Sequence, residues 1–185
     1  MKKMNLKQWI VILLSLPLFF YACDDDEKAK PGAYENGVFI VNEGNMGSGD
    51  GSVSFYSYKS DSVFNNIFEG VNGRVLGDVV QSISLHENNA YIVANASNKV
   101  EVVNATTFEE TGVIGDINGP RYFLGIDKNK AYVSQWGDNG AVKVIDLSTL
   151  TVVKTISTGA GSEKMILHNN QIYVANSGGL INNNT

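Results

Sequence analysis

The chain has 185 residues, with 14 Lys and Arg against 19 Asp and Glu, a formal charge of −5 and a single cysteine. That sign repels a phosphate backbone, so no nucleic-acid partner is expected, and one cysteine excludes an intrachain disulfide. Hydrophobic residues at 43% and charged residues at 18% place the chain with globular proteins rather than disordered ones.

Residues 1–22 read as a lipoprotein signal peptide. Lys2, Lys3 and Lys7 supply a positive start, Trp9 to Tyr21 is an apolar run, and Ala22-Cys23 follows it. The run is too short to cross a bilayer core of about 30 Å, which takes roughly 20 apolar residues. Cys23 is expected to be lipidated, which would hold a soluble domain at a membrane surface without a spanning helix. Removing residues 1–22 takes three lysines and leaves 11 basic side chains against 19 acidic. Residues 23–33 continue with Asp24, Asp25, Asp26 and Glu27, a charge run whose composition reads as a solvated tether.

From 34 to 185 the chain is of one kind, rich in Gly, Asn, Ser and β-branched residues, with almost no helical pattern. Apolar or alternating runs such as Val38-Phe39-Ile40-Val41, Gln81-Ser82-Ile83-Ser84-Leu85 and Val142-Lys143-Val144-Ile145 read as strands. Turn clusters divide them: Glu87-Asn88-Asn89, Asn95-Ala96-Ser97-Asn98, Asp127-Lys128-Asn129, Asp138-Asn139-Gly140 and His168-Asn169-Asn170. Tyr91, Tyr132 and Tyr173 recur 41 residues apart, each opening an apolar strand. Four short strands per unit of about 40 residues predict an all-β fold, a β-propeller of four-stranded blades.

One complete blade is expected from Pro120 to Thr158, with strands at 121–126, 130–135, 140–146 and 151–156 running from the innermost outward. The preceding blade places them at 81–85, 90–95, 99–104 and 109–114. An earlier, longer unit starts at Val38, with extra residues at 42–51 and 72–79. About three and a half blades are present. Closing a propeller takes four or more, so the chain reads as part of a larger, seven-bladed ring, with Ile172 to Asn176 an edge lacking its outer partners.

Tyr91-Ile92-Val93-Ala94-Asn95 with Val100-Glu101-Val102-Val103-Asn104, and Tyr173-Val174-Ala175-Asn176, resemble the repeat of YVTN-type β-propellers. Val41-Asn42-Glu43-Gly44-Asn45, Ser52-Val53-Ser54-Phe55-Tyr56 and the run Asn72 to Ser82 resemble the opening blade of Bacteroidetes surface lipoproteins related to YncE. Cobalamin-capturing lipoproteins of the BtuG type, which work beside a TonB-dependent transporter, are among these. Cys23-Asp24-Asp25-Asp26-Glu27 looks like the acidic signal that sends such lipoproteins to the outer face of the outer membrane. The resemblance therefore implies a lipid-anchored protein exposed at the cell surface.

In such a repeat the loop between second and third strands and the connection into the next innermost strand open on one face. Here those segments are 42–51, 95–98 and 135–139, with 77–81, 118–121 and 159–164. They gather Glu43, Arg74, Asp78, Gln81, Arg121, Trp136, Asp138 and Glu163, with Met46, as candidate ligand-binding residues. Trp136 can face a ligand or pack on a neighbouring blade. Arg121 can donate a planar set of hydrogen bonds to an amide, carboxylate or phosphate, or close an inter-blade ion pair. Arg74 and Asp78 can equally form a local structural pair. Gln81, Arg121 and Glu163 occupy corresponding positions in successive blades, and can bind a ligand or simply solvate the central channel.

No catalytic group is assigned. His86 and His168 sit in Asn-rich turns without partner ligands, so no metal and no cofactor is expected. Asp50 lies in an oxygen-rich loop that lacks the spacing of a calcium loop. Two function classes follow. One is a non-catalytic surface module that captures a small nutrient, a corrinoid by resemblance, for a TonB-dependent outer-membrane transporter. The other is a propeller enzyme of lyase or lactonase type, with a protein-docking scaffold as a blander third reading.

Overall fold

The computed structural model describes residues 32–179. The signal peptide, Cys23 and nearly all of the acidic tether lie outside them. Among the described residues no helix is long and apolar enough to cross a membrane.

The first blade holds three strands, β1 (Gly37–Asn42), β2 (Ser52–Ser57) and β3 (Ser62–Phe64), in that order. A six-residue helix, α1 (Ile67–Asn72), follows. The second blade is a four-stranded antiparallel meander of β4 (Val80–His86), β5 (Asn89–Ala94), β6 (Lys99–Asn104) and β7 (Glu110–Ile114). The third repeats it with β8 (Pro120–Asp127), β9 (Lys130–Gln135), β10 (Ala141–Asp146) and β11 (Thr151–Ser157). The fourth begins with β12 (Ser162–His168) and β13 (Gln171–Asn176). The expected all-β propeller blades are therefore present, with strand limits within one or two residues of the sequence reading. Helix α1 is the departure from it.

β1 lies two strands in from β3, the last strand of its blade, as β5 and β9 lie two strands in from β7 and β11, and so it matches the second strands of the later blades. Both β5 and β9 have an inner neighbour, whereas β1 pairs only with β2 among the described residues. Its face turned away from blade two leaves Val38 and Ile40 exposed. At the other end β13 pairs only with β12, and Ile166, Leu167 and Tyr173 are exposed.

Blade two shows why the repeat reads as continuous apolar runs. Side chains alternate faces along a strand, and here both faces are covered. Ala90, Ile92 and Val103 pack toward blade one with Val53, Phe55, Phe68 and Phe108. Tyr91, Val93, Val100 and Val102 pack toward blade three with Phe123, Ala131 and Val133. The Tyr91 and Phe123 rings stack with centroids 3.8 Å apart. Innermost strands of adjacent blades are joined by every second side chain of β4. Ser82 Oγ donates to the Arg121 carbonyl at 2.8 Å, Ser84 Oγ to that of Phe123 at 3.0 Å, and His86 Nε2 lies 2.9 Å from that of Asp127. Gly125 is what lets β8 approach so closely, since a Cβ there would overlap the His86 ring.

Candidate functional site

The loops expected on one face are joined there by backbone hydrogen bonds. Val80 N–H donates to the Glu43 carbonyl at 2.9 Å, Asn95 N–H to that of Val79 at 2.8 Å, Trp136 N–H to that of Gly119 at 3.0 Å, and Ser177 N–H to that of Gly161 at 2.8 Å. Asn95 Nδ2 reaches across to the Pro120 carbonyl at 2.9 Å, and Gly119 N–H donates to Asn98 Oδ1 at 2.8 Å. Successive blades are thus linked at this rim as well as along their inner strands.

Each innermost strand carries a bulge at the same place. In β4 the pairing with β5 shifts between Val80 and Ser82, in β8 the pairing with β9 shifts between Pro120 and Phe123, and in β12 that with β13 shifts between Ser162 and Met165. One extra residue in a strand bends it and re-aims the local side chains. Gln81, Arg121 and Glu163 all lie within these bulges.

The outcome is a single constellation across three blades. The Arg121 guanidinium donates through Nε and Nη2 to the two carboxylate oxygens of Glu163, both at 3.2 Å, and through Nη1 to Gln81 Oε1 in a short contact. It lies 4.1 Å from the centre of the Trp136 ring, and Trp136 Nε1 donates to Glu163 Oε1 at 3.0 Å. Side chains of Arg121 and Glu163 are 15% and 19% exposed, so the pair is mostly dry yet still reached by solvent. Tyr122 extends the group: its hydroxyl lies 3.5 Å from Gln81 Nε2, and Lys164 Nζ stands 5.5 Å from its ring. The inter-blade ion pair expected of Arg121 is therefore present, with its Nε, Nη1 and Nη2 all bonded to neighbouring side chains.

Asp138 sits beside this group, at φ 56° in the loop that carries Trp136. It accepts from Gln135 Nε2 at 2.9 Å and from Asn118 Nδ2 at 3.3 Å, and these bonds hold its carboxyl below the usual aspartate value. Gln135, fully buried, also accepts from the Asn118 N–H at 3.2 Å, so it fixes both sides of the loop. Glu43 and Asp78 stand at the junction of blades one and two. Asp78 Oδ2 accepts from the Gly47 N–H at 2.5 Å, and its own N–H donates to Ser97 Oγ at 2.8 Å. Its Oδ1 is buried without a hydrogen-bond partner among the described residues.

Arg74 does not join the others, and it makes no pair with Asp78. It reaches the outer strands of blade two, bonding Glu101 with Nη1 at 3.0 Å and Nη2 at 2.9 Å, and Glu110 at 2.6 Å. Lys99 Nζ adds a 2.5 Å contact to Glu101, whose side chain is fully buried. These carboxylates push the Arg74 pKa upward, Glu101 foremost. The sequence signal for this anchor was a glutamate inside the apolar run Val100 to Val103. Gln135, Asn118 and Tyr122 had no comparable signal.

Among the described residues no three His, Cys, Asp or Glu side chains are grouped to hold a metal ion. What the constellation offers is a rigid set of amide, guanidinium and carboxylate groups next to an indole, which is hydrogen-bonding and stacking chemistry.

Several solved structures share the fold. A quinonprotein alcohol dehydrogenase-like protein from Bacteroides thetaiotaomicron aligns at TM-score 0.59 and 17% identity, over 77% of this chain and 34% of that one. The computationally designed Ika4 protein aligns at TM-score 0.52 and 15% identity, over 76% of this chain and 81% of that one. A chain of a nidogen/laminin complex aligns at TM-score 0.51 and 13% identity, over 68% of this chain and 44% of that one. The chain thus spans about a third of the length of the first of these. At such identities the likeness speaks for a propeller-type fold alone. No curated protein matches the chain significantly. The model of a domain of unknown function, DUF5074, matches residues 36–185, and the chain belongs to that family.

Proposed function

We propose that the chain is a non-catalytic binding module of a lipid-anchored surface protein, capturing a small polar nutrient for a TonB-dependent outer-membrane transporter. A corrinoid of the cobalamin type is the leading ligand, by the resemblance of residues 41–82 to the opening blade of surface lipoproteins of that kind. The observation that carries the binding role is the constellation of Gln81, Arg121 and Glu163 on three successive bulges with Trp136 from the loop after β9. A few placed polar groups with an aromatic platform on a rigid scaffold is the usual make-up of a small-molecule site. Holding them on inner strands lowers the ordering cost of binding.

Trp136 is the one tryptophan of residues 23–185, so an emission change that is lost in Trp136→Phe reports this site. Titration of the soluble full-length protein with cyanocobalamin is expected to give a saturable emission change and a matching calorimetric heat. A flat response in both would exclude the corrinoid reading. Turnover of a sugar acid or lactone by the same sample would favour the enzyme class.

A further inference from the structure

Among the described residues, blade one has no strand at the place that β4 and β8 fill in the later blades, so the inner edge of β1 is unpaired. The effect on burial is plain: β5 and β9 are almost wholly buried, while no residue of β1 is. An edge of this kind presents free N–H and C=O groups to any strand that fits it.

The later blades show what fits. In each, the residue after the second strand donates its N–H to the carbonyl just before the innermost strand: Asn95 to Val79 at 2.8 Å, Trp136 to Gly119 at 3.0 Å and Ser177 to Gly161 at 2.8 Å. The three accepting residues share a left-handed backbone, with φ of 53°, 61° and 84°. Glu43 holds the corresponding place in blade one, and its N–H has no partner among the described residues. A second vacancy lies on β4. Ser82 and Ser84 donate to the Arg121 and Phe123 carbonyls of the next inner strand. The corresponding carbonyls of β4, by register, are those of Gln81 and Ile83, and no side chain among the described residues donates to either.

We propose that the inner edge of β1 takes up one more innermost strand of this repeat, antiparallel to β1, beside β4, and carried by a further stretch of the same polypeptide. Its left-handed turn residue supplies the carbonyl for the Glu43 N–H, and side chains at the places of Ser82 and Ser84 reach the Gln81 and Ile83 carbonyls. A second copy of the described residues is a poor source, because its β4, β8 and β12 are each paired to their own second strands. The run Asp24 to Glu27 is another, since it has no apolar side chain to lay against blade two. The added strand brings its own bulge residue beside Gln81, so the row of Gln81, Arg121 and Glu163 gains a fourth member. That holds whichever ligand the rim binds.

A synthetic peptide copying residues 78–87, the chain's own β4 with its turn residue, is the probe. It is added to the soluble full-length protein, and in a second sample it replaces residues 1–23 through a glycine-serine linker of about 20 residues, whose reach is about 25 Å. Hydrogen exchange at Glu43 and along β1 is expected to slow at least about tenfold, with β13 unchanged, and the tethered form should melt at a higher temperature. Glu43→Pro, which removes the unpaired N–H, should weaken that protection about fivefold, the worth of one hydrogen bond, without moving the melting temperature of the chain alone. A peptide with prolines at the places of Ile83 and Ser84 should protect nothing. No protection by the tethered peptide, protection of β13 in place of β1, or equal protection by the proline peptide or in Glu43→Pro would overturn the proposal.

Discussion

The Arg121 guanidinium stands 4.1 Å from the centre of the Trp136 ring, and both side chains donate to the same carboxylate, that of Glu163. A residue of blade four thereby fixes the facing surfaces of two residues of blade three. Replacing Glu163 by Ala strips an acceptor from a mostly buried guanidinium and from the indole N–H. The expected loss is about 2 kcal/mol, below the figure for a fully buried pair because solvent still reaches this one. It should appear as a lower urea midpoint at unchanged slope, with Trp136 emission moving toward the water-exposed value. An unaltered midpoint would mean that the pair contributes nothing to stability.

Glu101 is a different case, fully buried and holding two bases, Arg74 and Lys99. Glu101→Ala takes the shared carboxylate from Lys99 and leaves Arg74 with Glu110 alone; both bases are partly exposed to solvent, so the expected cost is about 1–3 kcal/mol. The loss should localise: hydrogen exchange ought to rise first in α1 (Ile67–Asn72) and the segment Arg74 anchors. Uniform destabilisation across all blades would argue against the anchoring role.

The repeated tyrosines are equivalent in sequence and unequal in surroundings. Tyr91 is 3% exposed and stacked on Phe123, while Tyr173 is 51% exposed. Tyr91→Ala is expected to cost about 3–5 kcal/mol and Tyr173→Ala less than about 1 kcal/mol in this chain. Chemical denaturation of the two variants measures the contrast, and equal losses would mean that Tyr173 is covered in solution.

Asp138 gives a pH test. Hydrogen bonds from Gln135 and Asn118 lower its pKa in the folded chain below 3.8. A lowered folded pKa means that its contribution is fully present above the unfolded value and fades as pH falls through the folded one. The side-chain carboxyl resonance should therefore titrate below 3.8, and Asp138→Asn should remove that part of the acid sensitivity of the Trp136 loop. Titration at or above the ordinary value would show that these bonds do not form in solution.

The blades, their strand limits and the loop-bearing face were legible in the sequence, because alternation, Asn-rich turns and the 41-residue tyrosine interval are local signals that survive without tertiary context. Helix α1 was not, since six residues make fewer than two turns and show no helical period. Arg74 was expected with the rim residues and instead pairs with Glu101, because its direction is set by a buried carboxylate 27 residues away. The gathering of Gln81, Arg121 and Glu163 at one point was decided only by the folded chain. It depends on a bulge in each innermost strand, and an inserted residue reverses which side a strand presents without changing its composition. The sequence by itself determined what each blade is made of, and the packing of one blade on the next determined where its polar groups meet.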